Sequence, residues 1–100
     1  MKNNLNTKLE VHTTKKFDKQ LRMVAKQGKN IEKLITIVEQ IANKEELDPI
    51  YKNHKLINNK NYKDCYECHI EPDWLLVYKY IDNELILLLF ATGTHSNLFR

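Results

Sequence analysis

The chain has 100 residues, 42% of them hydrophobic, with only two glycines and two prolines. This composition predicts one compact domain spanning residues 1–100 and excludes a disordered protein. The net charge is +3 and is uneven: residues 1–46 hold ten Lys/Arg against six Asp/Glu, a balance of +4. A basic half favours an anionic partner, first of all nucleic acid, although a solvated surface is the plainer explanation of so modest a charge.

Targeting signals are not recognisable in the sequence. Residues 1–11 contain no apolar run typical of a signal peptide, and the longest apolar run, 85–91, is far too short to span a membrane. We therefore expect a soluble, cytoplasmic protein with no membrane partner.

The first predicted elements are a strand and an amphipathic helix. Residues 7–12 alternate weakly and suit a short strand, and Thr13 or Thr14 is placed to cap a helix that Gly28 ends. Apolar residues recur at helical spacing on one side of this helix: Phe17, Leu21 and Val24. The opposite side, which we call the cationic face, carries five cations within an arc of about 80°: Lys15, Lys19, Arg22, Lys26 and Lys29.

A second helix follows directly. Asn30 is placed to cap it, and apolar residues between 31 and 41 give it a broad core face. The short connection at 28–30 predicts a helical hairpin. The helical pattern stops at Pro49, and residues 50–61 show no clean period, so we expect an ordered but irregular loop around His54.

The C-terminal part switches to a period of two and predicts three strands. In the first, 62–70, Glu67 and His69 lie on one side and Cys68 and Ile70 on the other. The segments 74–80 and 85–90 are apolar on both faces, which is typical of strands buried on both sides. Turns are expected at 71–73 and 82–83. The predicted fold is α+β in the order β-α-α-β-β-β, with a two-helix hairpin packed on one face of an antiparallel sheet.

This topology predicts that several polar residues meet at one end of the sheet. If the three C-terminal strands pair in sequence, His69, Asp73 and Trp74 lie near the segment that carries His95. Histidine can give and take protons near neutral pH, so two of them on adjacent strands suit an acid–base site. Plainer alternatives stay open: surface histidines, a core role for Trp74, and a C-terminal plug for Phe99.

Two other kinds of site are weighed and not predicted. Cys65 and Cys68 have CxxC spacing, but residues three apart on a strand point to opposite faces, so we expect two structural thiols. His54, His69 and His95 come from separate elements and lack the short-spaced pair typical of zinc sites. We therefore expect no metal and no cofactor.

Two motifs carry a family resemblance. The run CHIEPDWLLVY at 68–78 and the run ATGTHSNLF at 91–99 are similar to the YafQ branch of the RelE/ParE toxin superfamily, and the resemblance extends to residues 15–19 and 51–56. It implies a RelE/ParE-like fold and a metal-independent, ribosome-dependent mRNA endonuclease, the toxin of a type II toxin–antitoxin system. The implied partners are a cognate antitoxin, the 70S ribosome with its rRNA, and mRNA.

The resemblance also implies roles for single residues. His95 matches the general acid, and His54, His69 and Asp73 match the cluster that orients and deprotonates the 2′-OH nucleophile of the RNA. Substrate contacts are implied for Trp74 and Phe99. For the ribosome-dependent action that the resemblance implies, four residues of the cationic face suit docking on rRNA phosphates: Lys15, Lys19, Arg22 and Lys26.

The chain departs from the family pattern at two positions where arginine is usual, Tyr66 and Ala91. The arginine expected at 91 would stabilise the transition-state phosphate, and loss of such a donor typically costs about 10²–10³ in rate. A weakened toxin and an inactive RNA- or ribosome-binding module therefore both stay open. A gyrase-directed ParE-like toxin is the third alternative, but poisoning a topoisomerase needs no cluster of histidines.

Overall fold

The computed structural model describes residues 6–99. Residues 1–5, part of the segment where the sequence predicts no signal peptide, and residue 100 lie outside the described residues. Five strands and three helices follow along the chain: β1 (Glu10–Thr13), α1 (Lys15–Lys26), α2 (Ile31–Ala42), β2 (His54–Lys55), β3 (Tyr66–Glu71), β4 (Trp74–Ile81), β5 (Ile86–Gly93) and α3 (His95–Leu98). A 3₁₀ turn at Pro49–Tyr51 precedes β2. Across residues 6–99, the helices are all too short or too polar to cross a membrane. The α+β prediction is confirmed.

The five strands form one sheet in the order β1-β5-β4-β3-β2. Strands β2 to β5 pair antiparallel with their neighbours, whereas β1 pairs parallel with β5. The sheet is therefore mixed, and the prediction of a wholly antiparallel sheet is wrong in this respect. No tight turn joins β1 to its neighbour, and its direction is therefore set by where the helical hairpin leads the chain. The loop predicted as irregular also contributes a strand, the two-residue β2.

Local sequence signals fix the two long helices. Thr14 caps α1 by accepting the Phe17 N–H at 2.9 Å, and its hydroxyl donates to the Phe90 carbonyl at 2.9 Å, which attaches the start of the helix to β5. Gly28 follows α1 at φ +88°, a left-handed conformation that glycine adopts without steric cost. Asn30 caps α2, as predicted.

The sheet is buried on both faces, as the apolar patterns of β4 and β5 predict. Both long helices pack on one face, where the core includes Phe17, Val24, Leu34, Val38, Ile41, Trp74, Leu76, Tyr78, Leu87 and Leu89. A smaller core lies on the opposite face, which we call the distal face, and contains Tyr62, Cys65, Leu75, Val77, Ala91 and Leu98. The loop before β3 and the C-terminal helix cover it.

Two β-bulges break the alternation of side chains. In β5, Leu89 pairs with Tyr78 and Ala91 pairs with Val77, so Phe90 is an extra residue and Ala91 is turned to the distal face. In β3, His69 pairs with Leu75 and Glu71 pairs with Trp74, so Ile70 is extra and Glu71 is turned towards the helices. Both bulges lie near the end of the sheet where the polar residues meet.

Candidate active site

Strand pairing aligns the candidate residues in rows on the distal face. His54 of β2 lies opposite Glu67 of β3, Glu67 lies opposite Val77, and Val77 lies opposite Ala91. Opposed residues of antiparallel strands project to the same face, so this row contains a histidine, a carboxylate and the Ala91 position. His69, two residues after Glu67 on the same strand, projects to the same face.

The side chains of Glu67 and His69 are in hydrogen-bonding contact at the centre of this group. Glu67 Oε1 lies 2.9 Å from His69 Nε2, and the Glu67 side chain is only 8% exposed. His69 Nδ1 lies 3.3 Å from the Pro72 carbonyl oxygen. Both neighbouring atoms are acceptors, so each ring nitrogen of His69 is already engaged in a hydrogen-bonding contact. Sequence reasoning missed Glu67, although its spacing from His69 on a strand is the signal that pairs them.

His54 has a different hydrogen-bonding pattern. Its Nδ1 lies 2.7 Å from the Lys52 carbonyl oxygen, which can only accept, so Nδ1 carries the hydrogen of the neutral ring. Lys52 has φ 50°, and this left-handed residue ends the 3₁₀ turn just before β2. His54 is exposed, and among residues 6–99 no hydrogen-bond partner meets its Nε2. That nitrogen is therefore a free acceptor facing solvent.

The C-terminal histidine is held through its backbone. Asp73 Oδ1 accepts the His95 N–H at 3.1 Å, which joins the β3–β4 turn to α3. The His95 ring is exposed and lies 5.1 Å from the Phe99 ring. The predicted meeting of His69, Asp73 and His95 at one end of the sheet is thus confirmed. The catalytic roles of these residues stay predictions.

Phe99 supports the histidine from the distal core. It is half-buried, and its ring lies 5.2 Å from Tyr62 and 5.1 Å from His95. It therefore packs as the C-terminal plug and borders the site at the same time, and its substrate contact stays a prediction.

The structure corrects the prediction that Trp74 contacts substrate. Trp74 is 1% exposed in the core beneath the helices, on the other side of the sheet from His69. Its Nε1 donates to Thr92 Oγ1 at 3.0 Å, and that hydroxyl donates to the Leu75 carbonyl at 2.7 Å. No face of the ring is open to stack on a base. Trp74 instead holds the ends of β4 and β5 together.

The two departures from the arginine pattern lie on different faces. Tyr66 lies on the helix-facing side, with its ring stacked on Tyr78 at 5.6 Å. Ala91 is fully buried on the distal face, in the row that contains Glu67 and His54. Of the two positions, Ala91 faces the histidines and Tyr66 does not.

The cationic face lies in solvent, with one exception. Lys15, Lys19, Arg22 and Lys26 are all exposed. Lys29, predicted to belong with them, lies 3.2 Å from Glu71 and is partly buried, so it is engaged in an ion pair. A lysine that the helical pattern did not single out, Lys16, lies on the distal side, with its Nζ 3.3 Å from the Tyr62 hydroxyl and 5.1 Å from the ring centre.

Space for a ligand adjoins the site. A cavity of about 300 Å³ opens between the 3₁₀ turn and the end of β3, and His69, Tyr51, Lys52 and Pro72 are among the residues that line it. Its walls combine aromatic, aliphatic and cationic side chains with the Glu71 carboxylate.

Neither the thiols nor other side chains form a metal cluster in the described part of the chain. Across residues 6–99, no three or more His, Cys, Asp or Glu residues lie together as metal ligands would. Cys65 and Cys68 lie in the two different cores, which confirms that they diverge. Burial raises the pKa of the Cys68 thiol to about 12, so it stays protonated at neutral pH.

Comparison with known proteins identifies the family of this chain. Residues 9–100 match the family described as bacterial toxin of type II toxin-antitoxin system, YafQ. An mRNA interferase toxin YafQ from Escherichia coli strain B / BL21-DE3 is 34% identical over 92 residues, which cover 90% of this chain and 95% of that protein. A metal-bound toxin from Helicobacter pylori is 42% identical, with a TM-score of 0.84 over 91% of this chain and 99% of that one. The E. coli DinJ-YafQ toxin-antitoxin complex matches at 30% identity and TM-score 0.80, over 93% and 99% of the two chains. The chain therefore belongs to the YafQ family of bacterial type II toxin–antitoxin toxins.

Proposed function

We propose that this chain is an endoribonuclease that cleaves mRNA on the translating ribosome and is neutralised by an antitoxin protein. Curated relatives are named mRNA interferase toxins, and the E. coli relative has been solved in a toxin-antitoxin complex. The RNA supplies the nucleophile, its 2′-OH. The protein has to supply a base for that hydroxyl, an acid for the leaving 5′-oxygen and charge for the phosphorane.

The observation that carries the proposal is the difference in hydrogen bonding between the three histidines. His54 donates from Nδ1 to a carbonyl, which leaves Nε2 as a free acceptor that can take the 2′-OH proton. Both nitrogens of His69 face acceptors, so we assign His69 to charge stabilisation and not to proton abstraction. The resemblance leaves the identity of the general base open between His54, His69 and Asp73. We assign this role to His54.

His95 is assigned as the general acid. Its backbone is held by Asp73 while its exposed ring packs beside Phe99, so the imidazole is positioned without being enclosed. Asp73 therefore acts as a positioning residue in this scheme, because the Oδ1 atom that faces the site is engaged with the His95 N–H.

The dependence on ribosomes rests on the exposed cationic face. A chain with a net charge of +3 has little general affinity for free RNA, whereas a row of cations along one helix fits the regular phosphates of rRNA. The ribosome then presents the mRNA to the distal face.

The pH dependence of cleavage tests the two proton-transfer roles. His54→Asn keeps a donor near the Nδ1 position and removes Nε2, while His95→Gln removes the acid. A base must be deprotonated, so His54→Asn should abolish the rise in rate on the acidic side. An acid must be protonated, so His95→Gln should abolish the fall on the alkaline side. Each single-turnover rate on programmed ribosomes should drop by about 10² or more.

The matched control is His12→Asn, since His12 lies on β1 at the other edge of the sheet, where its Nε2 pairs with Glu10 at 3.1 Å. It should leave the pH profile unchanged. An unaltered profile in folded His54→Asn and His95→Gln proteins would contradict the assignment. If the wild-type chain binds ribosomes and cleaves nothing, it is the inactive binding module.

A further inference from the structure

The turn between β3 and β4, which contains Asp73 and contacts His69, lacks the backbone conformations that two-residue hairpin loops favour. Two residues, Pro72 and Asp73, connect β3 to β4. Two-residue hairpin loops favour turns with left-handed residues, because only these match the twist of the strands. Proline has a fixed negative φ, and neither Pro72 nor Asp73 has a positive φ. The bulge at Ile70 takes up the mismatch, so the local sequence alone does not define the position of this turn well.

Two lysines hold the turn from the helical hairpin. Lys33 Nζ lies 2.9 Å from Glu71 Oε2, and Lys29 Nζ lies 3.2 Å from Glu71 Oε1. Each carboxylate oxygen has its own ammonium group, so the plane of the carboxylate is fixed as well as its position. The side chains of Glu71, Lys29 and Lys33 are 29%, 34% and 53% exposed, so solvent partly screens the attraction between them. The hydrogen bond from Lys33, followed by that from Lys29, lowers the pKa of Glu71, so the carboxylate is ionised at neutral pH.

The two residues after Glu71 reach the site directly. The Pro72 carbonyl oxygen lies 3.3 Å from His69 Nδ1, and Asp73 accepts the His95 backbone N–H at 3.1 Å. A displacement of the turn therefore changes the surroundings of both histidines at once. Misplacement of catalytic groups by about 1 Å can cost about 10² in rate.

We propose that Lys29, Glu71 and Lys33 form a clamp that positions the candidate active site, because they fix the β3–β4 turn, which contains Asp73 and whose Pro72 carbonyl meets His69. This inference rests on the proposed function for its effect on cleavage. It assigns Lys29 to the site and not to ribosome docking, and it gives the connection between α1 and α2 a role in the chemistry.

Removal of the central charge tests the clamp. Glu71→Gln should lower the single-turnover cleavage rate by about tenfold or more, while the ribosome concentration at half-maximal rate stays within about twofold. Glu39→Gln on the exposed side of α2 makes the same change in net charge away from the turn and should leave both quantities unchanged. Reversing all three signs, with Lys29→Glu, Lys33→Glu and Glu71→Lys, should recover most of the lost rate. A purely structural loss would instead follow the melting temperature.

A second measurement does not depend on cleavage. Hydrogen exchange of the His95 amide, followed by NMR in the isolated protein, should be faster by about threefold or more in Glu71→Gln and normal in Glu39→Gln. Wild-type exchange together with wild-type cleavage in Glu71→Gln would overturn the clamp. Faster exchange in a chain whose wild type never cleaves RNA would support the clamp and overturn the proposed function.

Discussion

Replacement of Ala91 by arginine should raise the rate of RNA cleavage and lower the stability of the fold. Ala91 is the residue of the His54–Glu67 row where the family resemblance expects a cation. An arginine there extends over Val77 towards Glu67 and His69, where it can stabilise charge on a bound phosphate. Restoring one such donor is worth about 10²–10³ in rate.

The cost follows from the burial of this position. Ala91 is 0% exposed and packs in the distal core with Tyr62 and Leu98. Forcing extra methylene groups into a packed core costs about 1–3 kcal/mol. In a domain of this size each kcal/mol shifts the melting temperature by about 4–8 °C, so a fall of roughly 4–24 °C is expected. The assay temperature has to lie below the lowered transition.

Ala91→Met is the matched variant, because it adds a long unbranched side chain without charge. Single-turnover cleavage of mRNA on programmed ribosomes should be much faster for arginine than for methionine, at similar melting temperatures. A folded Ala91→Arg protein that is no faster than Ala91→Met would refute the reasoning, and the chain would then not be limited by a missing cation.

Two more variants test separate regions of the molecule. Replacement of Lys19, Arg22 and Lys26, three exposed residues of the cationic face, by glutamate should weaken ribosome co-sedimentation and reduce its salt dependence. The same replacement at Lys8, Lys44 and Lys60 should change neither quantity. Trp74→Phe removes the buried hydrogen bond to Thr92 and should cost about 1–2 kcal/mol, or roughly 4–16 °C in melting temperature, with cleavage by the folded protein nearly unchanged. A normal melting temperature with slower cleavage would restore Trp74 as a substrate contact.

The sequence predicted the meeting of His69, Asp73 and His95 because that meeting depends on topology alone. Three consecutive strands joined by short connections pair as neighbours, so the end of β3 and the end of β5 lie at the same end of the sheet. The parallel pairing of β1 was not predictable in this way, since two helices separate it from the strand it joins. The hydrophobic periodicity of a segment does not indicate which strand of the sheet it will pair with or in which direction.

The placement of Ala91 shows a second limit, which is the exact alternation of side chains. Alternation places both faces correctly along β4 and along β3 as far as Ile70, but bulges interrupt it after Ile70 and at Phe90. Without that bulge Ala91 would face the helices, and an arginine there would be far from His69. A bulge is decided by how two strands fit each other, so no pattern within one strand reveals it.

The proton-transfer assignments rest on features that residue identity does not contain. His54 and His69 are the same side chain, and they differ because one meets a single carbonyl while the other meets a carboxylate and a carbonyl. The Lys52 carbonyl is turned towards His54 by a left-handed residue at the end of a 3₁₀ turn. Backbone geometry of this kind decides which nitrogen is free, and the sequence indicates only that a histidine is available.

The aromatic side chains that pack over the distal face need a small residue at position 91. Tyr62 packs edge-on against Phe90 at 5.8 Å and against Phe99 at 5.2 Å, and Ala91 lies in the core beneath them. A long side chain at 91 needs part of the volume that this packing fills. Stability and a transition-state cation therefore compete for one place in the fold, a form of the trade-off between stability and activity. Because the competition is local, gain in rate and loss of stability in Ala91→Arg have a single physical cause.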